Sequence, residues 1–117
     1  MRQVVERNNS PDPKPISEPV LLILLSLAER PRHGYALMQD IETLSGGRVH
    51  LSTGTLYGAL RRLLEDAWIE RFAQEDTSRE KQAYKLTVAG RRQLQWELDR
   101  MRQLTRAAST RLRMSEA

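Results

Sequence analysis

The chain has 117 residues, a net charge of +4, and no cysteine. It has room for one small domain and an extension, and it excludes disulfide scaffolds and thiolate metal sites. Arginine outnumbers lysine 16 to 3, which suits contacts with phosphate and base edges but also fits a GC-rich genome. The longest apolar run, Val20 to Ala28, is far shorter than the roughly 20 residues that span a bilayer, so no membrane segment is expected and a cytoplasmic protein is. The excess charge is confined to residues 90–117, which carry seven arginines against three acids. Any affinity for nucleic acid in the rest of the chain must come from how charges are arranged.

Residues 1–16 are polar and punctuated by Pro11, Pro13 and Pro15, and are read as a leader. Ser17 is an N-cap, and Pro19 is tolerated in a first turn. The helix that follows runs to about Arg30 and is apolar nearly all round, from Val20 through Leu27. Such a helix must be covered on several sides, so Leu21 and Leu24 are candidate subunit contacts. Pro31 ends it, and His33, Gly34 and Tyr35 read as a turn. A second helix places Leu37, Ile41 and Leu44 on its buried side and stops at Gly46 and Gly47, with Gly46 as the C′ residue.

The stretch from Leu51 to Glu70 organises the rest. Ser52 can cap the first turn of a third helix. Leu56, Leu60, Leu63 and Leu64 make one buried face. The other side carries Thr53, Gly54, Tyr57, Gly58, Arg61 and Arg62. Two glycines four apart cost a helix roughly 1 kcal/mol each. They fit a helix whose backbone is approached closely, as in a DNA groove, or simply a surface helix that tolerates them. Three short helices, the third polar-faced, are the makings of a helix-turn-helix.

After Asp66 the period becomes two. Trp68 to Ala73 reads as a strand and Gln82 to Thr87 as its return, with Tyr84 and Leu86 on one side and Lys85 on the other. A hairpin directly after such a helix is a wing. Arg79 and Lys81 stand where a wing meets phosphates, although Glu75, Asp76 and Glu80 beside them oppose it. Thr87 then caps a long helix from Val88 to about Leu112. Leu94, Leu98, Met101, Thr105, Ala108 and Leu112, spaced 4, 3, 4, 3, 4, form a coiled-coil seam. Homodimerisation through this helix is expected, the alternative being that it folds back on its own domain. The expected fold class is thus mainly α with a small β-hairpin. The units are a leader (1–16), a winged helix-turn-helix domain (17–87), a dimerisation helix (88–113) and a tail (114–117).

HGYALMQDIE, STGTLYGALRRLLEDAWIE and YKLTVAGRR, in this order, resemble the PadR family of bacterial transcriptional regulators, over roughly residues 18–112. The single short C-terminal helix resembles that family's compact subgroup. The resemblance implies a third helix in the major groove of a palindromic operator, often with ATGT and ACAT arms, a wing on the backbone, and paired C-terminal helices. It implies that Ser52, Thr53 and Thr55 meet base edges or phosphates, Tyr57 a phosphate, and Arg61 a phosphate or guanine edge. The alternative readings are that Ser52 is only a cap, that Tyr57 packs on the wing, and that Arg61 is solvated. One departure concerns the wing: many members carry a basic pair followed by two tyrosines, where this chain has Lys81, Gln82, Ala83 and Tyr84. Trp96 lies about 200° round the helix from Leu94. It either packs on the partner's first helix or serves as a platform for a flat aromatic effector, as some PadR-like repressors use a tryptophan.

With two histidines, no cysteine and no glycine-rich phosphate loop, no enzyme, metal site or cofactor is expected. Double-stranded DNA is the expected partner and repression the simplest outcome. The alternative is a winged helix used only for protein contacts.

Overall fold

The computed structural model describes residues 16–72 and 82–116. The order is α1 (Glu18–Glu29), β1 (Arg32–His33), α2 (Gly34–Leu44), α3 (Thr53–Glu65), β2 (Ile69–Phe72), β3 (Ala83–Leu86) and α4 (Val88–Glu116). The leader, and the wing-tip residues Arg79 and Lys81, lie outside the described residues.

The core is built around α1. Ser17 caps it by accepting a hydrogen bond from the Val20 N–H, and Pro19 sits in its first turn. Leu22, Ile23, Leu24 and Leu27 are buried against Leu37 and Ile41 of α2, Leu56, Leu60 and Leu63 of α3, Ile69, Tyr84 and Leu86 of the sheet, and Leu94 of α4. Leu21 and Leu25, one turn apart, are only half-buried. This corrects one expectation: Leu24 is 0% exposed within a single chain, so it is a core residue, and the outer stripe of α1 runs through Leu21 and Leu25. Leu44 is corrected in the opposite sense, since it is largely exposed.

The turn expected at His33 to Tyr35 is a short strand followed at once by a helix. β1 pairs antiparallel with β3 (Arg32 opposite Tyr84), making a three-stranded sheet in the order β1-β3-β2. The strand was hidden because Arg32 does not look like a buried residue. It is 7% exposed, and its neighbours satisfy it. Its Nε donates to the Ser26 carbonyl at 3.2 Å, and its guanidinium pairs with Glu29 and with Asp40 at 3.4 Å. Ser26 Oγ donates to Asp40 at 2.6 Å. Four polar side chains thus tie the end of α1 to β1 and α2, which is the condition for burying a charge at all.

Two helices end in the same way with different residues. After α2, the Gly46 N–H donates to the Thr43 carbonyl and the Gly47 N–H to the Glu42 carbonyl. After α3, the Ala67 N–H donates to the Leu64 carbonyl and the Trp68 N–H to the Leu63 carbonyl. Both are Schellman closures, which require a left-handed residue. Gly46 adopts φ 65° freely, but Ala67 is held at φ 62°, where a Cβ is strained.

That strained turn leads into the junction of α3, the sheet and α4. The Thr87 N–H donates to the Trp68 carbonyl at 3.1 Å. Thr87 Oγ1 donates to the Ala67 carbonyl at 2.6 Å and accepts from the Gly90 N–H at 3.0 Å, capping α4. A Cβ on Gly90 would collide with the Trp68 carbonyl oxygen and lie 2.9 Å from a Leu86 methyl. Only glycine lets α4 start so close to the β2 backbone.

Beyond this junction α4 buries Gly90, Gln93, Leu94 and Glu97 on its own domain, and from Arg102 onward every described residue is exposed. The helix therefore does both things the sequence left open: its first turns fold back, and the rest projects. Leu94, expected in the intersubunit seam, belongs to the chain's own core. The seam that remains free starts at half-buried Leu98 and Met101 and runs through Thr105, Ala108 and Leu112.

Two substitutions test this junction by urea or thermal denaturation. Ala67→Gly relieves the left-handed strain and is expected to raise stability by about 0.5–1 kcal/mol. Gly90→Ala forces α4 off the Trp68 carbonyl and is expected to cost about 1–3 kcal/mol.

Candidate nucleic-acid interface

α3 displays its polar side because its apolar side is consumed. Leu56, Leu60 and Leu63 point into the core, which turns Thr53, Gly54, Tyr57, Arg61 and Arg62 to solvent. Ser52 is occupied as a cap. Its Oγ accepts from the Thr55 N–H at 3.1 Å and donates to Thr55 Oγ1 at 3.0 Å. Thr55 keeps its own hydroxyl proton free to donate outward. Arg61 and Arg62 form no ion pair with another described residue, whereas Arg48, in the connector before α3, is engaged. It grips Glu18 with two hydrogen bonds of 3.0 and 2.5 Å, and the hydrogen bond from Arg48 holds the Glu18 carboxyl below its ordinary pKa. Arg61 and Arg62 are the cations that α3 itself leaves available among the described residues.

Tyr57 is 40% exposed, and wing residues 73–81, against which one reading of the sequence packs it, lie outside the described residues. Its ring lies over the start of α2. A Cβ on Gly34 would collide with the Tyr57 hydroxyl and come within 2.9 Å of its ring carbon Cζ. Tyr84 lies close by on β3. Burial first, and the neighbouring Tyr57 second, push the Tyr84 phenol above its ordinary pKa, against the pull of Arg71. Tyr57 is therefore held at its hydroxyl end against the start of α2, with part of the side chain left exposed. The seat at Gly34 was not legible in the sequence. A glycine at a helix start reads as a turn residue, and no local spacing relates residue 34 to residue 57.

Gly54 and Gly58 have no packing reason of their own, because a Cβ at either would meet nothing within 4 Å. They form one wall of a groove of about 760 Å³ shared with Pro19, Val20, Leu63 and Trp68. On the described part of the hairpin, Lys85 lies 5.4 Å from the Phe72 ring centroid and 3.6 Å from Glu70, so its charge is locally matched.

Trp96 is half-buried and lines neither this groove nor the furrow of about 510 Å³ that Leu98, Met101, Arg102 and Thr105 form along α4. Among the described residues no group of histidine and carboxylate side chains could hold a metal ion, and no helix is long and apolar enough to cross a membrane.

These features agree with what the chain resembles. Residues 23–96 match the model of the transcriptional regulator PadR-like family. A PadR family transcription regulator from Clostridium difficile superposes with a TM-score of 0.68 at 21% identity, covering 82% of this chain and 99% of that one. A PadR-like transcription factor from Bacteroides fragilis gives 0.65 at 26% identity, covering 78% and 86%. In sequence, an uncharacterized 37.1 kDa transposon protein of Streptomyces fradiae is 39% identical over 85 residues. This chain spans only 23% of that relative's length. The family is one of transcription regulators and not of enzymes, and the winged helix-turn-helix, the polar face of α3 and the long C-terminal helix are placed as such a regulator needs them: the chain belongs to the PadR-like family.

Proposed function

We propose that the chain is a sequence-specific DNA-binding repressor that acts in the cytoplasm as a homodimer on a palindromic operator. The observation that carries this reading is the outward face of α3. It begins with hydroxyls at a helix N-terminus, where free N–H groups and the dipole favour anions, and it continues with two arginines unpaired among the described residues. In the proposed complex α3 enters the major groove, Thr53 and Thr55 meet base edges or phosphates, and Tyr57 donates to a phosphate from its seat on Gly34. Arg61 reaches a phosphate or a guanine edge. Ser52 acts chiefly by fixing Thr55. Arg79 and Lys81 extend the contact from the wing.

Dimerisation is supported by the arm of α4. Leu104, Leu112 and Met114 are large apolar side chains left in water by the single chain, and fifteen exposed helical residues have nothing of their own to pack on. A second copy, meeting this arm and the Leu21 and Leu25 stripe of α1, is the simplest cover. Trp96, near the root of the arm, is the proposed contact for a small aromatic effector that shifts the spacing of the two α3 helices.

Four measurements test the reading. Binding to random duplexes should weaken with salt, and Arg61→Ala should reduce the slope of log K against log[salt] by about 0.9 if Arg61 meets one phosphate. A flat salt dependence for the unsubstituted protein would point to a protein-contact module instead. Removing residues 104–117 should give a monomer by sedimentation and lower palindrome affinity at least about tenfold, with half-site affinity little changed. Tyr57→Ala should weaken binding several-fold at unchanged circular dichroism. Aromatic compounds that neither quench Trp96, measured in a Trp68→Phe background, nor release DNA would remove the effector from the account.

A further inference from the structure

We propose that Tyr35, on the first helix of the helix-turn-helix, is a further phosphate contact, held in donor orientation by Gln39. This inference rests on the DNA-binding reading above and adds to it a residue outside the contacts assigned there.

Tyr35 is 68% exposed, a high value for an aromatic residue inside a regular helix. It stands next to Gly34, the residue over which the Tyr57 ring lies. The start of α2 and the polar face of α3 therefore open on one surface, and a duplex seated on Tyr57 runs past Tyr35. This is where the first helix of such a motif meets the sugar–phosphate backbone.

The chemistry at Tyr35 is directional. Gln39, one turn along α2, donates from Nε2 to the Tyr35 hydroxyl oxygen at 3.3 Å. That bond uses the oxygen as an acceptor and leaves the O–H proton to be donated elsewhere. A phosphate oxygen can only accept, so a phenol already fixed as a donor is the complementary group. The nearest acid along the same exposed stripe, Glu42, is two turns from Tyr35 and lies 3.1 Å from His50, so it sits away from the proposed phosphate. Tyr35 is uncharged, so its contact would position the duplex without releasing a counterion and without reading sequence.

The test is a pair of conservative substitutions in the full-length protein, titrated against its selected operator and against an unrelated duplex at several salt concentrations. Tyr35→Phe keeps the ring and should weaken binding to both duplexes by a similar factor, about 3- to 10-fold. The salt slope should stay unchanged, unlike that of Arg61→Ala. Gln39→Ala should cost about 2- to 3-fold, with no further loss when added to Tyr35→Phe, because it acts through the same hydroxyl. Wild-type affinity for both duplexes in Tyr35→Phe would overturn this inference and leave the main reading standing. A loss confined to the operator would also overturn it, since that marks base readout. If the unsubstituted protein binds no duplex, both readings fall together.

Discussion

The architecture depends on the few hydrogen bonds around Thr87. One residue there does three things: its N–H holds the Trp68 carbonyl, its hydroxyl proton holds the Ala67 carbonyl, and its hydroxyl oxygen caps α4. The carbonyls it holds belong to the turn that closes α3. The C-terminal end of α3 and the N-terminal end of α4 are therefore bonded to one side chain, with Gly90 admitting the backbone contact between them. Geometry makes this junction sensitive. A helix of 29 residues is about 43 Å long at 1.5 Å per residue, and a tilt of 10° at its base moves its tip by about 7 Å. In the proposed dimer, the junction of α3 and α4 would set the distance between the two α3 helices.

The rest of the domain makes that junction stiff at some cost. The Arg32 cluster with Ser26, Asp40 and Glu29 is a polar network in a position that an apolar core could have filled. Such networks are weak sources of stability, though strongly destabilising when half-dismantled. What this one does is fix direction: it locks β1 onto the end of α1, which sets the register of Arg32 against Tyr84 and so supports the strand that ends in Thr87. Glu97 is a starker case. It is 2% exposed, it pairs with Arg100, and among the described residues its Oε1 and the Arg100 Nε have no hydrogen-bond partner. An unsatisfied carboxylate oxygen lowers stability. It lies in the turn where α4 leaves the domain, so the helix is anchored less firmly there than at Leu94.

Periodicity made most of the fold readable. The caps at Ser17, Ser52 and Thr87, the leucine face of α3, the glycine stop after α2 and the hairpin all express local rules, and each formed where the residues called for it. The errors are equally specific. Leu24 was read as an intersubunit contact because a helix that is apolar all round does not say which side its own domain will take, and Leu94 because the seam spacing does not say where α4 leaves its own domain. Arg32 hid a strand because a charge is buried only when distant partners meet it, and Asp40 lies eight residues away. Ala67 in a left-handed turn looks like any alanine. The seat of Tyr57 joins residues 34 and 57, and no window of sequence contains both. Of the candidate site, the outward face of α3 was legible and the scaffold beneath it was not.

The charge distribution explains why the exposed arm and the modest DNA face belong together. Residues 51–66 carry two arginines and two acids, so one domain generates little long-range attraction and must rely on a few directed contacts. A single set of such contacts gives weak, salt-sensitive binding. Two sets held at fixed separation bind far more tightly, because the second engages at the high effective concentration created by the first. The reverse also holds. A duplex that binds the pair better than the single chain must favour pairing by the same factor. In the proposed dimer the arm with Leu104 and Leu112 would carry stabilisation that the domain face lacks, and anything that loosens it would be felt at α3 as lost affinity. A more basic domain would not need its partner, and would lose the means of being switched by it.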